Sequence, residues 1–217
     1  MRRGRYRARR NYDRLAPLYD LLAEPFERRG RRIGRHLLDI RPGERVLEVG
    51  CGTGADLAAL ATATGPRGWC LGLDLSERMV RRTDQRLTRR EVTERATVAQ
   101  ADAVQLPLAP RCFDAVYLSF TLELFDADDL IAVLQECARV LQPTGRLGVV
   151  SLAMTDDPPL MTRLYLRAHR RYPSLLDCRP IPTDQLLARS GFTVLMRRRP
   201  SMWGLPVDVI VARPTTR

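Results

Sequence analysis

A glycine-rich segment at residues 50–54 is the part of the sequence that most directly suggests chemistry. It reads Gly-Cys-Gly-Thr-Gly and follows an apolar run at 45–49. Glycines between a strand and a helix let a ligand approach the backbone, whose amide groups bind polar atoms. The segment also fits a dinucleotide-binding fingerprint at Gly50, Gly52 and Ala55. An oxidoreductase function is therefore an alternative at this point.

Two aspartates follow the next two predicted strands. Asp74 ends the apolar run 69–74, and Asp102 follows the run 97–101. The Asp74 carboxylate can accept hydrogen bonds from the ribose hydroxyls of an adenosine, and the Asp102 carboxylate can meet the edge of its adenine. An aspartate after a strand is often a turn former, but here three successive strand ends carry Gly, Asp and Asp. They share the edge at which open α/β sheets bind ligands, which predicts an adenosine-type cofactor.

The elements that must position these residues alternate between strand and helix. Apolar and β-branched runs predict buried strands at 45–49, 69–74, 97–101, 113–119 and 146–152. Helical patterns predict helices at 53–63, 76–90 and 128–141, with Pro143 and Gly145 ending the last one. This alternation is typical of a parallel sheet with crossover helices, and we expect all five strands to be buried on both faces.

The segments that flank this core lack the regular alternation of strand and helix. A basic amphipathic helix is predicted from 160 to 172 and a short helix from 183 to 189, before a hairpin of strands at 192–198 and 206–212. At the other end, apolar residues recur at helical spacing before the first strand, with breaks at prolines. We therefore predict a helical cap at 1–40, a catalytic domain at 41–217, and an insertion at about 155–182 within that domain.

The charge is concentrated in two places. The 217 residues include 36 arginines and no lysine against 25 acidic residues, for a net charge of +11. Residues 1–35 carry +8, residues 36–162 carry −5, and residues 163–199 carry +7. Such clustering points to a polyanionic partner, which can be nucleic acid, an anionic membrane or an acidic substrate.

Other site types have weak support in the sequence. The five cysteines form no CxxC pair, so we expect reduced thiols, with neither a disulfide framework nor a metal site. No apolar run reaches the roughly 20 residues that a membrane-spanning helix needs. We therefore expect a cytoplasmic protein.

Five segments in the core resemble the successive motifs of a known family. They are the glycine segment, GLDLS, AQADAVQLPL, FDAVYLSFTLELF and RVLQPTGRLGVVSL, in this order between residues 46 and 152. The sequence resembles the class I S-adenosylmethionine-dependent methyltransferases in these motifs. The resemblance implies a doubly wound, Rossmann-like α/β fold with a seven-stranded sheet of order 3-2-1-4-5-7-6 and an antiparallel strand 7. The hairpin predicted near the end of the chain agrees with it.

The same resemblance implies a cofactor, S-adenosyl-L-methionine, and its product S-adenosyl-L-homocysteine. The glycine segment and Glu48 would surround the methionine part, Asp74 the ribose, and Asp102 the adenine. The full set of implied cofactor contacts is Tyr12, Tyr19, Glu48, Gly50, Cys51, Gly52, Thr53, Gly54, Asp74, Leu75, Asp102, Ala103, Ser119 and Phe120. No metal is implied.

The sequence NYDRLAPLYD at 11–20 narrows the resemblance. It is similar to the cap of ubiquinone/menaquinone-biosynthesis C-methyltransferases and to that of related bacterial phospholipid N-methyltransferases. Both groups modify molecules held in a membrane, which implies a prenylated quinol as acceptor, with an amino-headgroup phospholipid as the alternative. The two basic segments would then meet an anionic membrane at its inner face. DNA is not expected as a partner and RNA is disfavoured, because the chain has Ser-Phe-Thr-Leu at 119–122 where enzymes that methylate base amines carry [DN]PP[YF].

Methylation of a quinol carbon would need a base near a phenolic hydroxyl. The candidates are Tyr19, Tyr165, His169 and Asp177, of which Tyr19 ranks first for contact with cofactor or substrate. A non-catalytic lipid- or RNA-binding module on the same scaffold is a further hypothesis, suggested by the arginines. The presence of the complete glycine segment with both aspartates argues against it.

Overall fold

The computed structural model describes residues 27–171 and 178–215, which form an α/β fold. The elements up to the fourth strand are α1 (27–38), β1 (Arg45–Val49), α2 (Ala55–Thr64), β2 (Trp69–Asp74), α3 (Glu77–Arg89), β3 (Ala96–Gln100) and β4 (Phe113–Ser119). A short 3-10 turn (Leu122–Leu124) follows. The remaining elements are α4 (Ala127–Val140), β5 (Leu141–Leu152), α5 (Leu160–Arg171), α6 (Thr183–Arg189), β6 (Phe192–Arg198), β7 (Ser201–Met202) and β8 (Leu205–Pro214).

The strand order confirms the predicted topology. The sheet runs β3-β2-β1-β4-β5-β8-β6, with β8 in the place of the expected antiparallel seventh strand. β8 pairs antiparallel with both β5 and β6, while β1 to β5 pair in parallel. One difference is the two-residue strand β7, which pairs with β8 and brings the sheet to eight strands within the described ranges.

The core lies on both faces of the sheet because strand residues alternate between them. On one face Leu47 and Leu118 pack with residues of α4 and α6. On the other face Val46 and Tyr117 pack with residues of α1, α2 and α3. Leu38 of α1 is fully buried there, whereas its neighbour Leu37 is only partly buried.

Two sequence expectations are wrong in detail. β3 is largely exposed because it is an edge strand, so only one of its sides has a neighbour in the sheet. The residues Pro143 and Gly145 do not form a turn before a strand at 146–152. They lie inside β5, which begins directly after α4 and pairs Leu141 with Phe113 of β4. The pairing register between β4 and β5 shifts after Phe113, because Phe113 pairs with Leu141 whereas Ala115 pairs with Arg146, and the extra residues belong to β5.

A buried carboxylate connects the last two long strands. Asp208 in β8 is 2% exposed and accepts hydrogen bonds from Arg197 and Arg199, at the end of and just after β6, over 2.8–3.2 Å. Arg197 also forms an ion pair with Asp184 of α6. These arginines therefore compensate the charge of a buried carboxylate, although they belong to the basic segment 163–199.

Helix α1 is fixed to the sheet by its backbone. The Tyr117 hydroxyl donates a hydrogen bond to the carbonyl of Arg31 over 3.2 Å. Arg146 of β5 donates to the carbonyls at the end of α1, those of Leu38 and Asp39, over 2.5 Å each. α1 is thus the described part of the predicted cap, and it lies directly against the central strands.

The described residues contain no helix that is long and apolar enough to cross a membrane.

The packing of α1 predicts opposite effects for two glycines of the same helix. A β-carbon at Gly34 would lie 2.5 Å from both the Tyr117 hydroxyl and Val150, whereas one at Gly30 would meet its nearest atom, the sulfur of Met202, at 3.3 Å. We expect Gly34→Ala to lower the free energy of unfolding by about 1–3 kcal/mol through overpacking. Gly30→Ala should leave it unchanged or raise it, because alanine favours a helix by about 1 kcal/mol. Urea denaturation of both variants measures this, and equal effects would contradict the packing described here.

Candidate active site

A cleft opens at the carboxyl ends of β1, β2 and β4, where open α/β sheets bind ligands. Its volume is ≈ 1020 Å³, including the mouth that opens to solvent. Most of the predicted cofactor contacts line it: Glu48, Gly50, Cys51, Gly52, Thr53, Asp74, Leu75, Asp102, Ala103, Ser119 and Phe120. The structure adds residues that the sequence analysis missed: Arg31, Val49, Leu73, Ser76, Met79, Ala101, Thr121, Leu124 and Phe125.

The glycine loop after β1 has three residues in the left-handed region. Gly50, Gly52 and Gly54 have φ of 69°, 54° and 75°. A β-carbon at Gly50 would lie 2.3 Å from Thr121, and one at Gly54 would lie 2.6 Å from Thr83. Nothing lies within 4 Å of the corresponding position at Gly52. Gly50 and Gly54 therefore allow the loop to pack closely, while Gly52 leaves its backbone accessible from the cleft.

Two threonine side chains donate hydrogen bonds to carbonyls of the glycine loop. Thr83 of α3 donates a hydrogen bond to the carbonyl of Gly52 over 2.8 Å, and Thr121 donates to that of Gly50 over 3.3 Å. The amides of Gly50 and Cys51 both donate to the carbonyl of Leu73, over 2.7 and 3.0 Å. The loop is thereby tied to β2, to α3 and to the segment after β4. Thr83 belongs to no motif, so the sequence offered no signal for its role.

Asp74 lies at the end of β2 with its carboxylate fixed by backbone amides. One oxygen accepts from the amide of Gly52 over 2.9 Å, and the other accepts from the amide of Ser76 over 2.8 Å. Ser76 also caps α3 by accepting from the amide of Met79 over 3.2 Å. Because a carboxylate oxygen has two lone pairs, each can accept a further hydrogen bond. The geometry suits recognition of two neighbouring hydroxyls.

Asp102 follows β3 at the far side of the cleft. Its carboxylate accepts from the amide of Val104 over 3.1 Å, which fixes the loop in a turn. Ala101 and Ala103 flank it, and Phe125 also lines the cleft. A carboxylate among small and apolar side chains can accept from the amino group of a flat aromatic base while the walls contact its faces.

Glu48 supplies a buried oxygen to which no described residue donates a hydrogen bond. The side chain is 3% exposed, and among the described residues its Oε2 has no hydrogen-bond partner. Burial raises the pKa of this carboxyl well above its usual value, and the neighbouring Asp56 raises it further, while Arg31 and Arg35 oppose the shift. An unpaired buried oxygen costs free energy unless a ligand satisfies it. A cationic amino group at this end of the cleft would do so.

An ion-pair network next to Glu48 connects α1 to the glycine loop. The fully buried Asp56, in the first turn of α2, forms an ion pair with Arg35 and lies 3.7 Å from the guanidinium of Arg31. Arg31 also pairs with Glu27, one turn earlier in α1, at 2.5 Å. Since Arg31 lines the cleft, α1 brings a positive charge close to the loop. The spacing of residues 27, 31 and 35 along one helical face was a usable signal for this network.

The floor of the cleft contains a strained residue. Phe120 is buried with φ of 51°, and its amide donates to the carbonyl of Val150 over 2.8 Å. A left-handed conformation costs a residue with a β-carbon roughly 1–2 kcal/mol. Such strain is often retained at functional sites, which agrees with the predicted place of Phe120 beside the methyl group.

The candidate base residues lie apart from the cleft or outside the described residues. Tyr165 and His169 are not among the described residues that line it. The Tyr165 hydroxyl donates to the carbonyl of Cys178 over 2.8 Å, and its ring stacks on His169 with centroids 6.5 Å apart. Tyr12, Tyr19 and Asp177 lie outside the described residues. Gly54 supports the loop through its contact with Thr83 without lining the cleft.

Within the described part of the chain, no group of three or more His, Cys, Asp or Glu side chains is arranged to hold a metal ion.

Comparisons with known proteins agree with this site. A family model described as "Methyltransferase domain" matches residues 46–145. A ubiquinone/menaquinone biosynthesis C-methyltransferase from Syntrophotalea carbinolica is 35% identical over 165 residues, which is 74% of this chain and 67% of that protein. Nocamycin O-methyltransferase from Saccharothrix syringae is 38% identical over 138 residues, 64% of this chain and 48% of that protein.

The fold has a counterpart among solved structures. A SAM-dependent methyltransferase from Aquifex aeolicus superimposes with a TM-score of 0.61 at 19% identity, over 84% of this chain and 89% of that one. The chain spans between 43% and 61% of the length of three of its relatives. The chain thus combines its similarity to these methyltransferases with the glycine loop, the two aspartates and the strand order described above. The chain belongs to the class I S-adenosylmethionine-dependent methyltransferases.

Proposed function

We propose that the chain transfers the methyl group of S-adenosylmethionine to a carbon of a prenylated quinol. The observation that carries the cofactor assignment is the fixed Asp74 carboxylate beside the open backbone of Gly52. The orphaned oxygen of Glu48 supports it, because it provides a partner for the amino group of the cofactor. The similarity to quinone-biosynthesis C-methyltransferases supports the acceptor class.

Each part of the cleft would hold one part of the cofactor. Asp74 would accept from the ribose hydroxyls and Asp102 from the adenine amino group. Glu48 would accept from the amino group of the methionine part. Arg31 would be the partner of its carboxylate, since its guanidinium lies in the same region of the cleft. Nε and Nη2 of Arg31 donate to Glu27 over 3.1 and 2.5 Å, so the ligand carboxylate would share this guanidinium with Glu27. A hydrogen bond between two charged groups is stronger than one between neutral groups.

When bound, S-adenosylmethionine supplies an activated methyl group on a sulfonium that is its own leaving group. The chain then has to align the acceptor, exclude water and remove a proton. Phe120 and Leu124 would give the acceptor side of the cleft apolar walls, which suit an aromatic ring. Tyr19 stays the first candidate for contact with cofactor or substrate.

Replacing Asp74 tests the cofactor assignment. Asp74→Ala removes a charged hydrogen-bond acceptor, so we expect the affinity for S-adenosylmethionine to fall by about 1.5–3 kcal/mol, or roughly ten- to 150-fold. Isothermal titration calorimetry measures this, with Asp84→Ala as control because Asp84 is exposed on α3. Normal affinity in Asp74→Ala, with unchanged circular dichroism, would overturn the ribose assignment.

The raised pKa of Glu48 predicts proton release on cofactor binding. Burial favours the protonated carboxyl, whereas a bound cationic amino group favours the ionised form, so the pKa of Glu48 falls when the cofactor binds. Affinity should therefore increase as the pH rises toward the raised pKa. Calorimetry in two buffers of different ionisation enthalpy measures the protons released. Glu48→Gln should release fewer, and an identical release in both proteins would show that another group is responsible.

The acceptor is tested with labelled cofactor and a total lipid extract. After incubation with the protein, mass spectrometry should find the label in a prenylated quinol. Label in the headgroup of an aminophospholipid would instead support the alternative acceptor class and refute the quinol. Asp74→Ala is the control for labelling that does not pass through the cleft.

A further inference from the structure

We propose that the start of α5 and the turn between β7 and β8 form one docking surface for an anionic lipid bilayer, called here the apolar rim. It consists of Leu160, Met161, Leu164, Trp203 and Gly204. The inference extends the proposed function, since a prenylated acceptor resides in a bilayer, and it names the part of the chain that would meet that bilayer.

The apolar side chains of the rim are largely exposed to solvent. Trp203 is 77% exposed and Leu160 is 73% exposed, while Met161 and Leu164 are each about half exposed. The two elements are adjacent, because a β-carbon at Gly204 would lie 3.0 Å from that of Met161. A contiguous exposed apolar patch on a folded chain commonly marks an interaction surface.

Trp203 has a strained backbone conformation in addition to its exposed side chain. Trp203 and Gly204 have φ of 52° and 83°, as expected for a two-residue hairpin turn between the paired residues Met202 and Leu205. Asparagine or aspartate usually occupies the first position of such a turn, because a bulky side chain is strained there. The turn therefore presents a large aromatic ring to solvent in spite of backbone strain.

The surface of α5 beside the apolar rim is basic. Arginines interleave with its exposed apolar residues at Arg163, Arg167 and Arg171, while Thr162 is buried; Arg163 also forms an ion pair with Asp157 at 2.7 Å. Helices with exposed apolar residues next to arginines are typical of segments that lie in a membrane interface. Arginines near an anionic surface strengthen membrane binding, and a tryptophan suits the level of the lipid headgroups. This charge pattern selects an anionic bilayer as the occupant.

The sheet places the apolar rim at the edge where the cleft opens. β5 runs parallel to β1, β2 and β4, so α5 begins beyond their shared carboxyl edge. Leu152 at the end of β5 pairs with Val207 of β8, and the residues before Val207 therefore extend past the same edge. Met202 packs near Gly30 of α1, which anchors the turn to the body of the fold. A bilayer bound to the apolar rim would face the side of the molecule that carries the cleft.

The two tryptophans of the chain provide the test. Trp203 lies in the apolar rim, whereas Trp69 begins β2 and thus lies at the opposite edge of the sheet. In Trp69→Phe the fluorescence reports Trp203, and in Trp203→Phe it reports Trp69. We expect vesicles of phosphatidylcholine with phosphatidylglycerol to shift the emission of Trp203 to the blue. Brominated acyl chains should quench it, and the emission of Trp69 should not change. Phosphatidylcholine alone should have a much weaker effect.

Replacing Leu160 and Leu164 by serine should lower vesicle partitioning about tenfold for each leucine, while cofactor affinity stays normal. Unchanged Trp203 emission in a protein that sediments with the vesicles would overturn the inference, because another surface would then bind. Dimerisation that is lost in the serine variants would also overturn it, since a second copy would cover the patch. Neither measurement depends on methyl transfer, so a failure here is distinguishable from a failure of the proposed function.

Discussion

The hydrogen bonds of the Asp74 carboxylate connect the two loops on which the cleft depends. One oxygen holds the amide of Gly52 in the loop after β1, and the other holds the amide of Ser76 at the start of α3. The glycine loop can adopt this position because Gly50 and Gly54 leave room for Thr121 and Thr83. A single carboxylate thus orders the backbone on the cofactor side.

The sequence allowed the fold and the cofactor side of the cleft to be predicted because both depend on local patterns. Apolar runs ending in Gly, Asp and Asp placed Gly52, Asp74 and Asp102 at one sheet edge, and the structure brings them there. Contacts between distant segments lie outside these motifs, and the helical spacing of Glu27, Arg31 and Arg35 was a signal for one of them. Thr83 supports the loop from the middle of α3, and Arg31 reaches the cleft from α1, yet neither lies in a motif.

The limits of β5 and β3 were mispredicted for physical reasons of the same kind. Pro143 suggested a turn, but the register shift between β4 and β5 lets the chain continue directly from α4 into the strand. β3 has the apolar character of an inner strand and nevertheless lies at the sheet edge. Which strand lies at an edge is a property of the whole sheet, so the residues of β3 alone could not reveal it.

The distribution of the arginines gains a different meaning in the structure. Arg31 and Arg35 of the basic N-terminal segment interact with Asp56, and Arg197 and Arg199 of the second basic segment bind Asp208. Part of the positive charge therefore compensates buried carboxylates within the fold. Arg163, Arg167 and Arg171 of α5 are exposed beside apolar residues, which is the basis for proposing this helix as the membrane contact.

In the proposed complex the cleft holds S-adenosylmethionine in one orientation, with its ribose at Asp74 and its amino acid part between Glu48 and Arg31. A crystal structure of the chain with S-adenosyl-L-homocysteine would reveal this orientation. We expect both ribose hydroxyls within hydrogen-bond distance of the Asp74 carboxylate, the amino group at Glu48 and the carboxylate at Arg31. A ligand bound in the reverse orientation, or outside the cleft, would contradict this expectation.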